Sequence, residues 1–468
     1  MVSAQDASDP PVDALVEALE RAPLSRADTL IAGLGLGSQP TFSRVVGRAG
    51  DRVVAIGRAR ARRYAAARVV AGAGSRWPVY RVDAAGELHR LGTLAAIAPA
   101  GWALDAPAGL PLPLAGRRGD GCWPASLPPF VEALWPAGVH AGSHGPDGDR
   151  VGPSVGGEPE PGDEHLAAIV RFADDAPGDL VVGEEAARRA AARHLTDAPP
   201  IPESERPRAY PEYARAAGEV AAAAPGPGAS RPEFSAAVDA GGSVRRVAVA
   251  FSPSEYSNAA RRWCDLLVCE HLAARTLAAH GVPAADTAIV EGGSRVFLEV
   301  SRFDRVGARG RRAVVTLAAL LAEARPGLAI DRGWTAAARA LRADRWIGAD
   351  VLERVHLIET CARFLGDTGS DPFALSFVFD DDGTPALAPV RRLVPAAYAP
   401  AGEHLPPLRY QPPAPEPGHG PTWREAGAIA RSTWRAIAGD DRVSASFRAI
   451  AGDNARTIDE ALARDTRR

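Results

Sequence analysis

The chain has 468 residues, 46% of them hydrophobic, which is enough to bury several cores and corresponds by length to roughly two to four domains. A formal charge of −3 excludes a global basic field for nucleic acid, so any such site must be local. All 54 basic residues are arginine, which excludes every mechanism that needs a lysine. No apolar run approaches the ~20 residues of a membrane helix, and the acidic start MVSAQDASDPPVD lacks a signal-peptide core. A cytoplasmic location with no membrane partner is expected. Cys122, Cys264, Cys269 and Cys361 form no CxxC pair and have no histidine at metal-ligand spacing, so reduced thiols and no metal site are expected.

Residues 1–74 read as the first unit. The spacing predicts a helix over 12–22, a second over 27–33, a Gly-rich turn at 35–37 and a third helix within SQPTFSRVVGRA. Ser38 is its predicted N-cap, Pro40 suits the first turn, and Phe42, Val45 and Val46 share the inward face. That leaves Gln39, Thr41, Ser43 and Arg44 on the outside. The pattern resembles the recognition helix of winged helix-turn-helix repressors, and the resemblance implies base-edge and phosphate contacts from Ser38, Gln39, Thr41, Ser43 and Arg44. DRVVAIGRARARRYAAAR then predicts a strand, a tight turn at Gly57 and a second strand, a wing carrying Arg58, Arg60, Arg62 and Arg63. By itself an arginine run is a solvated face. Directly behind this helix it reads as DNA contact, so DNA is the expected partner.

Residues 75–196 predict a meander of strands with a turn at 84–86, then a Gly/Pro/acid-rich loop over 142–164, then helix, turn, helix. His140, His144 and His165 straddle the loop at irregular spacing and read as surface histidines. Residues 197–305 open with a Pro-rich linker, APPIPESERPRAYPEY, followed by the interrupted Gly-containing stretch AAAAPGPGASRPEF. SVRRVAVAFSP is a predicted buried strand, CDLLVCEHLA a helix and RVFLEVSRFDRVG a strand with its connector. Residues 306–468 predict a helical region. A helix through VLERVHLIETCARFLG stops at Gly366, a strand over 375–379 and a hairpin turn over 380–383 follow, a return strand occupies 386–390, and amphipathic helices close the chain.

Four pieces, RRWCDLLVCEHLA, FLEVSRFDRVGARGRR, LGDTGSDPFALSF and LAPVRRLVPAAYAP, resemble the HipA family of serine/threonine kinase toxins, most closely its YjjJ-like branch. LPPFVEALWPAG resembles that branch's segment between a small β domain and a helical one. The resemblance implies an α+β chain in which the N-terminal winged helix-turn-helix precedes a two-lobed protein-kinase-like fold, with lobes over 197–305 and 306–468. It also implies which positions should carry the chemistry. The family has Asn-Thr-Asp-x-His-x-x-Asn-x-Ser-Phe where this chain has Gly369 in place of the catalytic Asp and Ala374 in place of the metal-binding Asn. It has Pro-Val-Tyr-Asp-x-Leu-Pro where this chain has Arg392 in place of the second metal-binding Asp. The phosphate-pairing lysine of the strand falls on Ala250, the helix glutamate on Glu270, and the lysine of the phosphate loop on Glu233. Val300, Ser301 and Phe303 fall on the hinge that pairs with adenine, a vestigial nucleotide site. Asp367 and Asp371 are the possible substitute bases. Arg302, Asp304 and Arg305 read as an ion-pair knot.

Phosphoryl transfer needs cations on the phosphates, carboxylate and amide ligands for magnesium, and a base. With the whole set replaced, the expectation is a DNA-binding regulator carrying a pseudokinase domain, with no cofactor, acting as a homodimer or through a protein partner. The alternative is a functioning HipA-like kinase toxin of a toxin–antitoxin system, with a rearranged site that uses ATP and Mg.

Overall fold

A computed structural model describes residues 9–106, 121–123, 126–134, 162–196, 199–223, 232–328, 333–367, 374–379, 385–407 and 409–465. The chain begins with α1 (Pro10–Arg21), β1 (Ser25–Arg26), α2 (Ala27–Gly33), α3 (Gln39–Ala49), β2 (Val53–Ile56) and β3 (Arg63–Ala66). The helical spacing of Val12, Leu15 and Leu19 on α1, and of Phe42 and Val45 on α3, turns one face of each helix into a shared core. Tyr64 closes it edge-on against Phe42, with ring centroids 5.0 Å apart. The three strands pair antiparallel in the order β1-β3-β2. The connection from β2 to β3 differs from the tight turn predicted at Gly57. Gly57 does adopt φ +78°, but a single 3-10 turn over Ala59–Ala61 intervenes before β3.

Next come β4 (Arg76–Val82), β5 (Leu88–Ala96), β6 (Trp102–Asp105), β7 (Cys122–Trp123), α4 (Pro129–Glu132), α5 (Asp163–Phe172), β8 (Leu180–Val182) and α6 (Glu184–Thr196). Their antiparallel sheet has the order β7-β6-β5-β4-β8. The helix, turn, helix expected at its end omits β8. Three residues are too few to alternate, and only the bracketing Gly178 and Gly183 marked the strand. The faces of β2 and β3 turned away from α3 carry Val54, Ile56 and Ala65, and these share a core with Ala95, Ile97, Ala103 and Cys122. Backbone bonds cross the same junction, from Arg68 N–H to the Ala96 carbonyl and from Ala98 N–H to the Ala66 carbonyl, each 2.9 Å.

The following layer holds β9 (Ile201–Pro202), α7 (Arg206–Ala223), β10 (Glu233–Asp239), β11 (Val244–Phe251), α8 (Asn258–Ala279), β12 (Thr287–Gly292) and β13 (Arg295–Ser301), with sheet order β12-β13-β11-β10-β9. The second half of the expected Pro-rich linker, residues 206–213, is therefore part of helix α7. Pro211 lacks the N–H that would bond the Pro207 carbonyl, and Gly292 lies against that carbonyl, where a Cβ would collide. Tyr210, fully buried between Phe234 and Phe297, fastens α7 to the sheet.

A small hairpin of β14 (Arg305–Val306) and β15 (Gly310–Arg311) leads to β16 (Val314–Thr316), α9 (Leu317–Ala324), α10 (Trp334–Ala343) and α11 (Ala349–Leu365). β17 (Ser376–Phe379) pairs antiparallel with β16 on one side and with β18 (Pro385–Leu387) on the other, and α12 (Gly420–Gly439) and α13 (Ala445–Asp465) finish the chain. Gly366 ends α11 at φ +73°, the left-handed stop its position predicted. Phe364, Phe377, Trp334, Trp434 and Phe447 fill the core between these helices and α8.

Candidate functional site

Two places collect the residues singled out by the sequence. The first is α3 with the β2–β3 connection. Ser38 caps α3, its Oγ accepting from the Thr41 N–H at 3.4 Å and lying 3.0 Å from Thr41 Oγ1. Arg44 Nη2 donates to Thr41 Oγ1 at 3.4 Å, so Ser38, Thr41 and Arg44 form one polar row. Gln39 and Ser43 are exposed beside it, as are Arg58, Arg62 and Arg63 on the connection. The side chain of Arg60 lies outside the described residues. Arg48 and Arg52 pair with Asp9 and Asp13 of the α1 region at 3.0 and 2.8 Å. Among the described residues, Arg44, Arg58, Arg62 and Arg63 have no ion pair, so their charge is directed at solvent.

The second place is where β10, β11 and α8 meet the segment at residues 390–392. Glu233 and Ala250 are direct cross-strand partners on β10 and β11. The Ala250 methyl is buried with Leu267, Leu298 and Val300 in an apolar cluster, so hydrocarbon fills the position where the resemblance puts a lysine. On α8, Glu270 is buried and accepts the backbone N–H of Arg392 at 3.1 Å. Arg392 Nη2 in turn donates to Glu233 Oε1 at 2.9 Å. The segment carrying it is clamped to residues 283–285, with Ala285 N–H on the Val390 carbonyl at 2.8 Å and Val390 N–H on the Pro283 carbonyl at 2.9 Å. Arg392 itself sits at φ +63°, an uncommon conformation for a side chain of this size.

Thus Glu233 and Arg392, 159 residues apart, meet as an ion pair. The sequence marked both positions but gave no sign that they pair with each other. Gly369 and Asp371 lie outside the described residues, as do residues 380–383, His140 and His144. Asp367 extends the α11 stop through its N–H on the Ala362 carbonyl at 2.9 Å, and Ala374 packs against the helical core. Val300, on strand β13 between β12 and β11, faces the cluster around Ala250. Ser301 N–H is engaged by the Asp286 carbonyl at 2.8 Å, and Phe303 is half-buried. Among the described residues no group of three or more His, Cys, Asp or Glu side chains could hold a metal ion.

Next to this site the predicted ion-pair knot is present. Asp304 Oδ2 accepts from Arg302 at 2.9 Å, Arg305 at 2.5 Å and the Gly178 N–H at 3.0 Å, and both arginines also reach Asp175 at 2.8 Å. Burial opposes the charge on Asp304, but Arg302 and Arg305 override it and hold the carboxyl well below the usual carboxylate range. The knot joins the 173–178 segment to β14. A second buried acid was missed. Glu299 on β13 is fully buried and binds Arg206 at 2.9 Å, Arg245 at 3.0 Å and the Tyr210 hydroxyl at 2.6 Å. A single acid inside the apolar strand FLEVS was its only signal.

A family model described as YjjJ-like toxin, middle domain, matches residues 73–191. Toxin YjjJ of Escherichia coli strain K12 is 30% identical over 450 residues, covering 91% of this chain and 94% of that protein. The chain belongs to the YjjJ-like toxin family. The YjjJ-like resemblance carried by the short motifs therefore extends along nearly the whole sequence. Solved structures resembling this YjjJ-like chain include the Shewanella oneidensis HipA, HipB and operator DNA complex (TM-score 0.46, 13% identity, 83% of this chain and 97% of that one). The Helicobacter pylori proinflammatory kinase CtkA is more distant, with a TM-score of 0.35 and 11% identity over 49% of this chain and 93% of that one. The described residues of this YjjJ-like protein are a mixed α+β fold, and none of their helices is long and apolar enough to cross a membrane.

Proposed function

We propose that this chain is a toxin-family DNA-binding regulator, in which residues 9–66 are a winged helix-turn-helix and the kinase-like remainder performs no phosphotransfer. One observation carries the second half: the Glu233–Arg392 ion pair, with the Arg392 backbone held by Glu270. In a magnesium-nucleotide site these positions would carry a cation toward phosphate and an anion toward metal. Here the signs are exchanged and the two charges are spent on each other, so the pair offers neither a cation to phosphate nor a carboxylate to magnesium, while Ala250 offers no charge at all. These residues do not fit magnesium ATP. DNA binding is supported by the capped α3, its Ser38–Thr41–Arg44 row and the unpaired arginines of the β2–β3 connection.

Two measurements on the full chain test this. Fluorescence anisotropy with labelled duplex DNA should give binding that weakens steeply with salt, and Arg44→Ala or the change of Arg58, Arg62 and Arg63 to Gln should reduce it. No affinity at low salt removes the DNA half. Radiolabelled ATP with magnesium should give neither autophosphorylation nor turnover. Turnover that Asp371→Ala abolishes would instead establish a working kinase.

A further inference from the structure

β2 and β3 belong to two cores at once. Val53, Tyr64 and Ala66 pack inward with α1 and α3, while Val54, Ile56 and Ala65 point to the opposite face and are buried against Ala95 of β5, Ile97 just after it and Ala103 of β6. Ile56 and Arg63 form the last cross-strand pair. Beyond it the connection bonds to itself, with Ala61 N–H on the Arg58 carbonyl at 3.0 Å, Arg62 N–H on the Ala59 carbonyl at 3.2 Å and Arg62 Nε on the Gly57 carbonyl at 3.3 Å. The aim of Arg58, Arg62 and Arg63 is therefore set at the Ile56–Arg63 pair, and Ile56 is seated on the neighbouring sheet. The other end of β2 is held from the same side. Arg76, the first residue of β4, donates through Nη2 to the Val53 carbonyl at 2.5 Å and the Asp51 carbonyl at 3.4 Å, which places a guanidinium of one sheet on the joint between α3 and β2. Arg68, just after β3, runs the opposite way, lying over the Trp102 ring at 5.2 Å and donating to Asp163 of α5 at 2.5 Å.

We infer that the β4–β8 sheet is part of the DNA-binding apparatus: through Arg76 and Ile56 it positions Arg58, Arg62 and Arg63 against the phosphates of duplex DNA. Arg76 is a positioning residue in this arrangement, since its donors are spent on backbone carbonyls of the α3–β2 joint. The physical reason is that both faces of a four-residue strand are buried, one in each core, so neither its register nor its tilt can change without exposing apolar surface of the other. Arg44 on α3 stands apart from this control, because its row with Ser38 and Thr41 is built within the N-terminal unit alone.

This inference rests on the reading of residues 9–66 as a DNA-binding unit, and a double-mutant cycle on the full chain separates the two. Anisotropy titrations of a labelled random-sequence duplex over a range of salt would compare Arg76→Gln in three backgrounds: the natural chain, the chain with Arg58, Arg62 and Arg63 changed to Gln, and Arg44→Ala. In the natural chain Arg76→Gln should weaken binding about three- to tenfold, the worth of one or two contacts, and flatten the dependence of log affinity on log salt. In the background without the three arginines the same change should alter affinity less than about twofold, whereas in Arg44→Ala it should keep its full effect. A general loss of folding would act alike in all three. Arg76→Lys, which keeps a donor for the carbonyls, should recover most of the affinity and guards against a glutamine variant that folds poorly. An undiminished loss in the background without the three arginines, or no loss in the natural chain, overturns the positioning role and leaves the DNA-binding reading intact. Absence of any affinity of the natural chain for the duplex at low salt overturns both.

Discussion

Arg392 shows how one side chain settles the charge of a buried acid. Its partner Glu233 is 8% exposed, so removing the guanidinium strands a carboxylate in a place of low dielectric. Arg392→Ala is expected to cost about 2 kcal/mol in urea unfolding, and the double variant with Glu233→Ala should cost at least about 1 kcal/mol less than the sum of the singles, the signature of direct coupling. Additive losses would show that the pair contributes nothing. A second prediction at this scale concerns His271, packed on α8 with Nδ1 2.9 Å from Thr287 Oγ1. Burial, with help from Arg442 and Arg275 and against Asp440 and Asp286, pushes its pKa down from 6.5 to about 4. The folded protein therefore takes up this proton later than the unfolded chain does. Its stabilising effect is complete above pH 6.5 and is lost as the pH falls from 6.5 toward 4. His271→Gln should flatten that part of the pH–stability curve, and an unchanged slope would show that another group titrates there.

Among the elements, α3 and α7 are placed by different forces. α3 is local in origin, with a serine cap, a proline in the first turn and apolar residues on one face, and its end is correspondingly sensitive to the cap. Ser38→Ala should cost about 1 kcal/mol and weaken DNA binding without abolishing it. Arg44→Ala should remove about one unit from the slope of log affinity against log salt, as expected for a single phosphate contact. α7 is held by tertiary contacts instead. Prolines at positions 207 and 211 argue for a linker, yet Tyr210 and the Glu299 cluster fix the segment as helix on the sheet. Glu299→Ala removes the acceptor shared by Arg206, Arg245 and Tyr210, and a loss of about 3–5 kcal/mol is expected, together with faster proteolysis within residues 206–217. Unaltered protease resistance would mean that aromatic packing alone holds α7.

Over the whole molecule, the segments are joined by packing as well as by the chain. Val54, Ile56 and Ala65 bury against Ala95, Ile97 and Ala103, so the small N-terminal sheet and the β4–β8 sheet share a hydrophobic interface. The Asp304 knot ties residues 175–178 to the 302–305 connector in the same way. Calorimetry of the full chain should show residues 9–66 and the β4–β8 sheet melting in one transition, and Ile56→Ala should lower it by the equivalent of about 2–5 kcal/mol. A separate early transition for the N-terminal unit would show the interface to be weak.

Much of this was legible from the chain alone. Helix periodicity placed α1, α2, α3, α8 and α11, the Gly366 stop was explicit, and the residue types at Glu233, Ala250 and Arg392 stood out against the family pattern, because residue identity is fixed before any folding occurs. The hidden part was nonlocal. β8 is too short to carry a period of its own, α7 runs against its local propensity, and the meeting of Glu233 with Arg392 joins segments 159 residues apart. Sequence states which charges are present. Only tertiary packing decided which of them neutralise one another and which, like Arg44, are left facing solvent, because the energy of a charge depends on the acceptors and the dielectric that surround it.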